Sequence, residues 1–123
     1  MPEFSFVLLY VENPPASATF YADLLGCPVI EQSATFAMLP LRDGVMLGLW
    51  SRQTVEPLAV SLPGASEIAF TVGDADAVRS MHTAWAKHGL RIAQTPTALD
   101  FGTTFVALDP DGHRLRVFAP GAA

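Results

Sequence analysis

The sequence has only one cysteine and no long apolar run. Cys27 has no second cysteine with which to form an intramolecular disulfide, which is typical of proteins in a reducing compartment. No apolar run reaches the roughly 18 residues expected of a membrane-spanning helix. The N-terminus does not show a basic segment followed by an apolar one, the pattern of a secretory signal. We therefore expect a soluble, cytoplasmic protein.

Positive charge is also scarce. Seven lysines and arginines face twelve acidic residues, giving a net charge of -5, and neither sign is concentrated in a block. A net negative protein repels phosphate backbones and anionic lipids, so we expect neither nucleic acid nor a membrane surface as a partner. Half of the 123 residues are hydrophobic and only 15% are charged, which is enough for a substantial core within one domain.

The segment Asp109–Phe118 combines a turn with a strand of alternating character. Its first four residues, Asp-Pro-Asp-Gly, are strong turn formers. The residues that follow alternate between an open face and an apolar face, with Arg114, Arg116 and Phe118 on the first and Leu115 and Val117 on the second. Such a strand is expected to pack on a core behind it and to contact something polar in front.

This turn and strand occur twice. Residues 43–50 align with residues 111–118 without a gap, and each copy follows a predicted strand that begins Thr-Phe. The apolar positions match, whereas Gly48 stands where the second copy has Arg116. The sequence therefore indicates a duplicated unit whose two copies differ on the open face.

The remaining pattern extends the duplication to the whole chain. In the first copy we predict a strand, a helix between Asn13 and Gly26, and three further strands: Phe4–Val11, then Val29–Gln32, Phe36–Leu41 and Val45–Ser51. In the second copy we predict a strand at 67–72, a helix between Asp74 and Gly89, and three strands: Arg91–Gln94, Thr103–Leu108 and Arg114–Phe118. Because both alternating sets of the first strand are apolar, we expect it to be buried on both faces.

These elements predict an α+β fold in a single domain spanning 1–123. It consists of two tandem β-α-β-β-β modules, at about 1–52 and 66–123, which form a curved mixed sheet around a cavity. The segment at about 53–65 has prolines and a glycine but no sustained periodicity, so we interpret it as the linker.

Several short motifs resemble the vicinal oxygen chelate superfamily. They are Val-Glu-Asn-Pro at 11–14, Phe-Tyr at 20–21, Leu-Leu-Gly at 24–26, and Asp-Pro-Asp-Gly at 109–112. That superfamily includes glyoxalase I, the extradiol dioxygenases, and the bleomycin and phenazine resistance proteins. The resemblance implies the duplicated fold and a homodimer whose pockets are shared between subunits. It leaves the activity open, because one scaffold hosts many functions.

The resemblance also implies where a metal would bind. Metal-dependent members carry His or Glu on the cavity side of the first and last strand of each module, and the corresponding residues here are Phe6, Gly48, Glu67 and Arg116. Only Glu67 is a metal-ligand type, and a guanidinium repels a divalent cation. The histidines His82, His88 and His113 lie on a predicted helix or turn and are read as ordinary surface residues. We therefore expect neither a metal nor another cofactor.

The altered cavity is predicted to bind a planar aromatic molecule. Rings would stack on it, Gly48 would leave room for it, and the loop before Gly102 would close over it, with the glycine allowing movement. Glu67 and Arg116, on adjacent strands, would neutralise each other or clamp a polar edge of the ligand. The predicted ligand-binding residues are Phe6, Phe36, Met46, Gly48, Trp50, Glu67, Phe101, Arg116 and Phe118. The alternatives are that the rings are ordinary core residues, that Glu67 and Arg116 form a purely structural ion pair, and that Asp100-Phe101-Gly102 is a plain turn.

These residues favour a non-catalytic protein that binds or sequesters an aromatic compound, for instance an antibiotic. A second hypothesis is a metal-independent isomerase or lyase, with Glu67 as general base and Arg116 stabilising a developing negative charge. A third is a metal-dependent enzyme of the glyoxalase or dioxygenase kind. A purely structural role, with the cavity filled by its own side chains, is the fourth.

Overall fold

A computed structural model describes residues 1–121, which fall into two compact units, one formed by residues 1–61 and one beginning at Leu62. The boundary lies inside the segment interpreted as the linker. Unit 1 contains β1 (Phe6–Val11), α1 (Pro14–Leu25), β2 (Glu31–Gln32), β3 (Phe36–Arg42) and β4 (Val45–Ser51). Unit 2 contains β5 (Glu67–Thr71), α2 (Ala75–Lys87), β6 (Arg91–Leu99), β7 (Gly102–Leu108) and β8 (Arg114–Pro120). The α+β class and the repeated β-α-β-β-β order are confirmed.

Each unit has one mixed four-stranded sheet. The strand order is β1-β4-β3-β2 in unit 1 and β5-β8-β7-β6 in unit 2. In both sheets the first strand pairs in parallel with the last, and the other pairs are antiparallel. This parallel pairing places Phe6 beside Met46 in unit 1 and Glu67 beside Arg114 in unit 2.

The helix ends follow the capping residues in the sequence. The Asn13 side chain accepts a hydrogen bond from the Ala16 backbone N–H, and two prolines occupy the first helical positions of α1. Gly26 then ends this helix in the left-handed conformation, at φ 66°. Asp74 caps α2 in the same way as Asn13 caps α1, through the Ala77 N–H. Neither helix within residues 1–121 is long and apolar enough to cross a membrane.

Each helix covers only one face of its own sheet. In unit 1, α1 contacts β3 and β4, and the covered face buries Val11, Leu39, Leu47 and Leu49 completely. In unit 2, α2 contacts β6, β7 and β8 over a core of Val78, Trp85, Phe105, Leu115 and Val117. Each unit therefore presents a second sheet face that its own helix does not cover. We call this the open face.

The prediction that β1 is buried on both faces was wrong. The strand begins at Phe6, and its open-face residues Phe6, Leu8 and Tyr10 are 39%, 44% and 37% exposed. Two apolar sets in alternation look the same whether one or both faces are covered, so the sequence could not separate the two cases. The first sheet thus has an apolar face that its own unit leaves partly open.

Strand β6 is five residues longer than the sequence indicated. It continues from Gln94 to Leu99 through Pro96, which lacks a backbone N–H. Because β6 is an edge strand, a proline there need not interrupt the hydrogen-bonded ladder. The register against β7 shifts twice along this strand, first between Ile92 and Gln94 and then between Gln94 and Thr97. These shifts are β-bulges, which change the direction of the side chains around them.

Candidate ligand-binding site

The open face of unit 1 contains an apolar cleft of about 390 Å³, lined by Phe6, Leu8, Phe36 and Trp50. We call it the aromatic cleft. Phe36 and Trp50 lie opposite each other on β3 and β4, and their rings meet edge to face at a centroid distance of 6.3 Å. Edge-to-face pairs are a favoured ring geometry, so these two rings hold each other in place. Both are half-buried, which leaves ring surface available to a ligand.

Gly48 forms the base on which two of these side chains rest. A Cβ atom at this position would lie 2.5 Å from Leu8 Cδ2 and 3.2 Å from Phe36 Cζ. The space above Gly48 was predicted to receive the ligand, but Leu8 and Phe36 already occupy it. Gly48 is itself buried, so it shapes the cleft from below.

The sequence prediction found the cleft's aromatic residues but missed Leu8. The alternation of β1 already placed Leu8 on the same face as Phe6, and only the focus on rings left it out. Met46 is half-buried on this face, in register with Phe6, but it is not among the four residues that line the cleft.

The open face of unit 2 is polar and is organised by Arg116. Its Nε and Nη2 donate to the two carboxylate oxygens of Glu67, at 2.7 and 2.9 Å. Its Nη1 donates to Thr104 Oγ1 at 3.1 Å and, more weakly, to Gln94 Oε1 at 3.4 Å. These four residues come from β8, β5, β7 and β6. One guanidinium therefore links all four strands of the sheet.

The charges around Glu67 make it a poor general base. The hydrogen bonds from Arg116 lower the pKa of Glu67 below its ordinary value, and the positive charges of Arg116 and Arg114 act in the same direction. Partial burial raises the pKa and only partly offsets these effects. Glu67 is therefore ionised at neutral pH, with both oxygens hydrogen-bonded, which weighs against the hypothesis of general-base catalysis.

The segment before β7 does not have the movable glycine that we expected. Gly102 is buried at the start of β7, and a Cβ there would overlap the backbone of Ala119. Beside it, Phe101 packs edge to face on Phe118 at a centroid distance of 5.9 Å, and its carbonyl accepts a hydrogen bond from the Gly121 N–H. The close approach of the β8 backbone holds Gly102 in place, so it does not act as a hinge.

The nine predicted residues thus form two groups. Five lie on the open face of unit 1: Phe6, Phe36, Met46, Gly48 and Trp50. Four belong to unit 2, where Glu67 bonds to Arg116 and Phe101 contacts Phe118. That all nine serve a single ligand stays a prediction.

Comparison with known proteins identifies the family. The sequence model of the Glyoxalase/Bleomycin resistance protein/Dioxygenase superfamily matches residues 3–117. The chain belongs to this superfamily. A curated relative of this superfamily member is the phenazine antibiotic resistance protein EhpR of Enterobacter agglomerans. The two are 29% identical over 113 residues, which cover 89% of this chain and 86% of EhpR.

Solved structures have the same fold as this superfamily member. The protein ATC0852 from Agrobacterium tumefaciens is 46% identical, with a TM-score of 0.89 over 99% of this chain and all of that one. A glyoxalase-related enzyme from Fulvimarina pelagi is 21% identical, with a TM-score of 0.82 over 97% of this chain and 88% of its own. The second likeness concerns the fold alone. Since the superfamily includes enzymes as well as resistance proteins, the chemistry has to be read from the site.

The residues at the superfamily's metal positions do not fit a divalent cation. Phe6 has no donor atom, Gly48 has no side chain, and Arg116 is itself a cation. The one remaining carboxylate, Glu67, already has both oxygens bound to that guanidinium. A metal ion would have to displace Arg116 while gaining only one protein ligand, far fewer than such ions require.

Proposed function

We propose that this protein binds and sequesters a planar aromatic small molecule without transforming it. The observation that carries the proposal is the aromatic cleft, where Phe6, Phe36 and Trp50 present rings on an apolar and partly exposed surface. Aromatic faces of this kind hold flat ligands by stacking and by excluding water. The similarity to EhpR supports the same conclusion, because its name refers to phenazine antibiotics and phenazine is a flat, fused aromatic ring system.

Sequestration requires affinity but no activated group, which is consistent with the state of Glu67. The homodimer implied by the resemblance stays a prediction, and the molar mass in solution would contradict it if it equalled the 13.1 kDa of one chain.

Phenazine should quench the fluorescence of Trp50 and leave that of Trp85 unchanged. Trp85 is only 7% exposed and packs between Phe70 and Phe105, so a ligand cannot reach it. We expect saturable quenching in the wild type, equal with and without EDTA, and no quenching in Trp50→Phe, where Trp85 is the remaining tryptophan. In Trp50→Ala the dissociation constant, followed by ligand absorbance, should rise about 30-fold because stacking and burial are both lost.

Two results would contradict this proposal. One is a phenazine titration that changes neither the fluorescence nor the melting temperature of the wild type. The other is equal quenching in the wild type and in Trp50→Phe, which would place the ligand away from the aromatic cleft.

Gly48→Ala should weaken phenazine binding about 10-fold at little cost in stability. The new methyl group would meet the end of Leu8, and because Leu8 is 44% exposed, that side chain can rotate away into the cleft. The backbone at Gly48 is in a region that alanine also adopts, so we expect the free energy of unfolding to change by less than about 1 kcal/mol. The measurements are the fluorescence titration and urea unfolding.

The matched control is Gly73→Ala, where a new Cβ would meet no atom within 4 Å. It should bind phenazine like the wild type. If Gly48→Ala also bound normally, the space held open by Gly48 would not be what shapes the cleft.

A further inference from the structure

We infer that unit 2 carries a carboxylate-binding pocket of its own, in which Arg114 is the cation that contacts the ligand. The pocket has a volume of about 270 Å³ and is lined by Ala93, Gln94, Val106, Arg114 and Arg116. It lies on the open face of unit 2, and all five of these residues belong to that unit. The inference goes beyond the proposed function and does not depend on it.

Arg116 is already committed to the protein. Its guanidinium makes two short bonds to Glu67 and further bonds to Thr104 and Gln94, and its side chain is only 18% exposed. A ligand that recruited Arg116 would have to break bonds that link the strands of the sheet. Arg116 therefore forms part of the pocket wall and cannot readily turn to grip a ligand.

Arg114, on the same face of β8, is in the opposite situation. Its side chain is 49% exposed, and its Nη1 is 3.7 Å from Glu67 Oε2, which is longer than a hydrogen bond. Its contact with Glu67 is therefore a long ion pair, in contrast to the two short bonds that Arg116 makes to the same carboxylate. Since Arg116 already neutralises Glu67, the two arginines and one carboxylate leave one uncompensated positive charge. That charge lies beside the pocket.

A bulge in β6 completes the pocket. Ile92 is opposite Ala107 and Gln94 is opposite Val106, so Ala93 is an extra residue in the ladder. In a regular strand two successive residues face opposite sides, whereas here Ala93 and Gln94 line one pocket. The bulge thus brings a small apolar surface and an amide to the same place as Arg114.

Gln94 adds a second hydrogen-bond donor. Its Oε1 accepts from Arg116 Nη1, which turns its Nε2 away from that guanidinium. Within the described chain no hydrogen bond is made by this Nε2. The pocket therefore offers a half-exposed guanidinium, held only by a long ion pair, and an amide N–H beside the apolar surfaces of Ala93 and Val106.

These groups favour a ligand that has one carboxylate attached to a small apolar ring or chain. A guanidinium donates two parallel hydrogen bonds to a carboxylate, and an apolar ring or chain can cover Ala93 and Val106. The single excess charge, with the Glu67 carboxylate close by, disfavours doubly charged groups such as phosphate. Because Arg114 is half-exposed and the pocket is small, a benzoate-sized ligand should bind only weakly, with a dissociation constant on the order of 1 mM.

The test is an NMR titration of the ¹⁵N-labelled 123-residue chain with sodium benzoate. Benzamide serves as the uncharged analogue, and chloride is added to match the ionic strength. We expect benzoate to shift the Arg114 Nε–H signal and the backbone amides of Ala93 and Val106 in a saturable way. Benzamide should bind at least 10-fold more weakly. Arg114→Gln should weaken benzoate binding at least 10-fold. Arg114→Lys should weaken it by a smaller factor, because lysine keeps the charge but cannot donate two parallel hydrogen bonds to the carboxylate.

Arg79→Gln is the matched control, because it removes one exposed arginine from the same unit but from helix α2. It should bind benzoate like the wild type. Equal losses in Arg114→Gln and Arg79→Gln, or benzoate shifts that spread over the surface without saturating, would overturn the inference. A phenazine titration of the same samples keeps the two proposals separate. Benzoate binding without quenching of Trp50 would contradict the proposed function alone, and quenching without benzoate binding would contradict this inference alone.

Discussion

Replacing Arg116 with glutamine should lower the free energy of unfolding of unit 2 by about 3 kcal/mol. Glutamine is too short, and has too few donors, to reach Glu67, Thr104 and Gln94 together. The change would remove four hydrogen bonds, two of them to the Glu67 carboxylate, and at roughly 0.5 to 1.5 kcal/mol each their combined loss accounts for this cost. Urea unfolding followed by Trp85 fluorescence, in a Trp50→Phe background, would report on unit 2 directly.

The matched control is Arg114→Gln, two residues along the same face of β8. This arginine is half-exposed and makes only a long contact with Glu67, so its loss should change the free energy of unfolding by less than about 0.5 kcal/mol. If both substitutions changed the free energy of unfolding equally, the hydrogen bonds of Arg116 across the sheet would not contribute more to stability than the long contact of Arg114. The comparison also separates the two arginines by role, since binding of benzoate should depend on Arg114 and folding on Arg116.

The difference between the wild type and Arg116→Gln should shrink in acid. Because the pKa of Glu67 is lowered in the folded state, its ionisation stabilises the fold above the ordinary pKa of about 4.5. That stabilisation disappears as the pH falls through the lower, folded-state value. Unfolding at pH 7 and again at about pH 3 would check this, and a difference that stayed constant would show that Glu67 ionisation is not its source.

The order of elements could be predicted because its signals are local. Asn13 and Gly26 mark the ends of a helix through chemistry that involves only their neighbours in the sequence, and Asp74 does the same in the second copy. The gapless alignment of 43–50 with 111–118 then predicted the repeat. The prediction failed where one sequence pattern fits two environments. In β1 both alternating sets of residues are apolar, so the pattern does not reveal which face the helix covers.

The candidate site could be predicted only down to the level of faces. Alternation correctly placed Arg114 and Arg116 on the open face of β8, and the expected pair of Glu67 with Arg116 is present, although alternation by itself does not distinguish the two arginines. The strand register puts Glu67 beside Arg114, yet the short bonds run diagonally to Arg116, two positions further on. Which arginine pairs with Glu67 depends on how far the side chains reach across the sheet and on the hydrogen-bond partners that β6 and β7 provide for Arg116. None of this is visible along a single strand.

The role of Gly102 could not be predicted from the sequence either, because it depends on backbone contacts between two strands. In the sequence, Asp100-Phe101-Gly102 is typical of a flexible turn, and we expected the glycine to permit movement. In the structure its φ is 140°, and a Cβ would overlap the Ala119 carbonyl oxygen and lie about 3.1 Å from Pro120 Cα. These are backbone atoms of β8, which cannot rotate aside as the end of a side chain can. A glycine is needed here for close approach between β7 and β8, and only the three-dimensional pairing reveals it.

Gly102→Ala should therefore lower the free energy of unfolding of unit 2 by about 4 kcal/mol, through strain at positive φ together with the separation of two paired strands. Gly121→Ala is the control, because Gly121 has a similar φ of 124° but open space where its Cβ would lie. It should show the strain alone, about 1 kcal/mol. Urea unfolding monitored by Trp85 measures both, and NMR shifts of Phe101 would show whether its contact with Phe118 loosens. If Gly102→Ala were as stable as Gly121→Ala, the close approach of β8 would not be what requires glycine at this position.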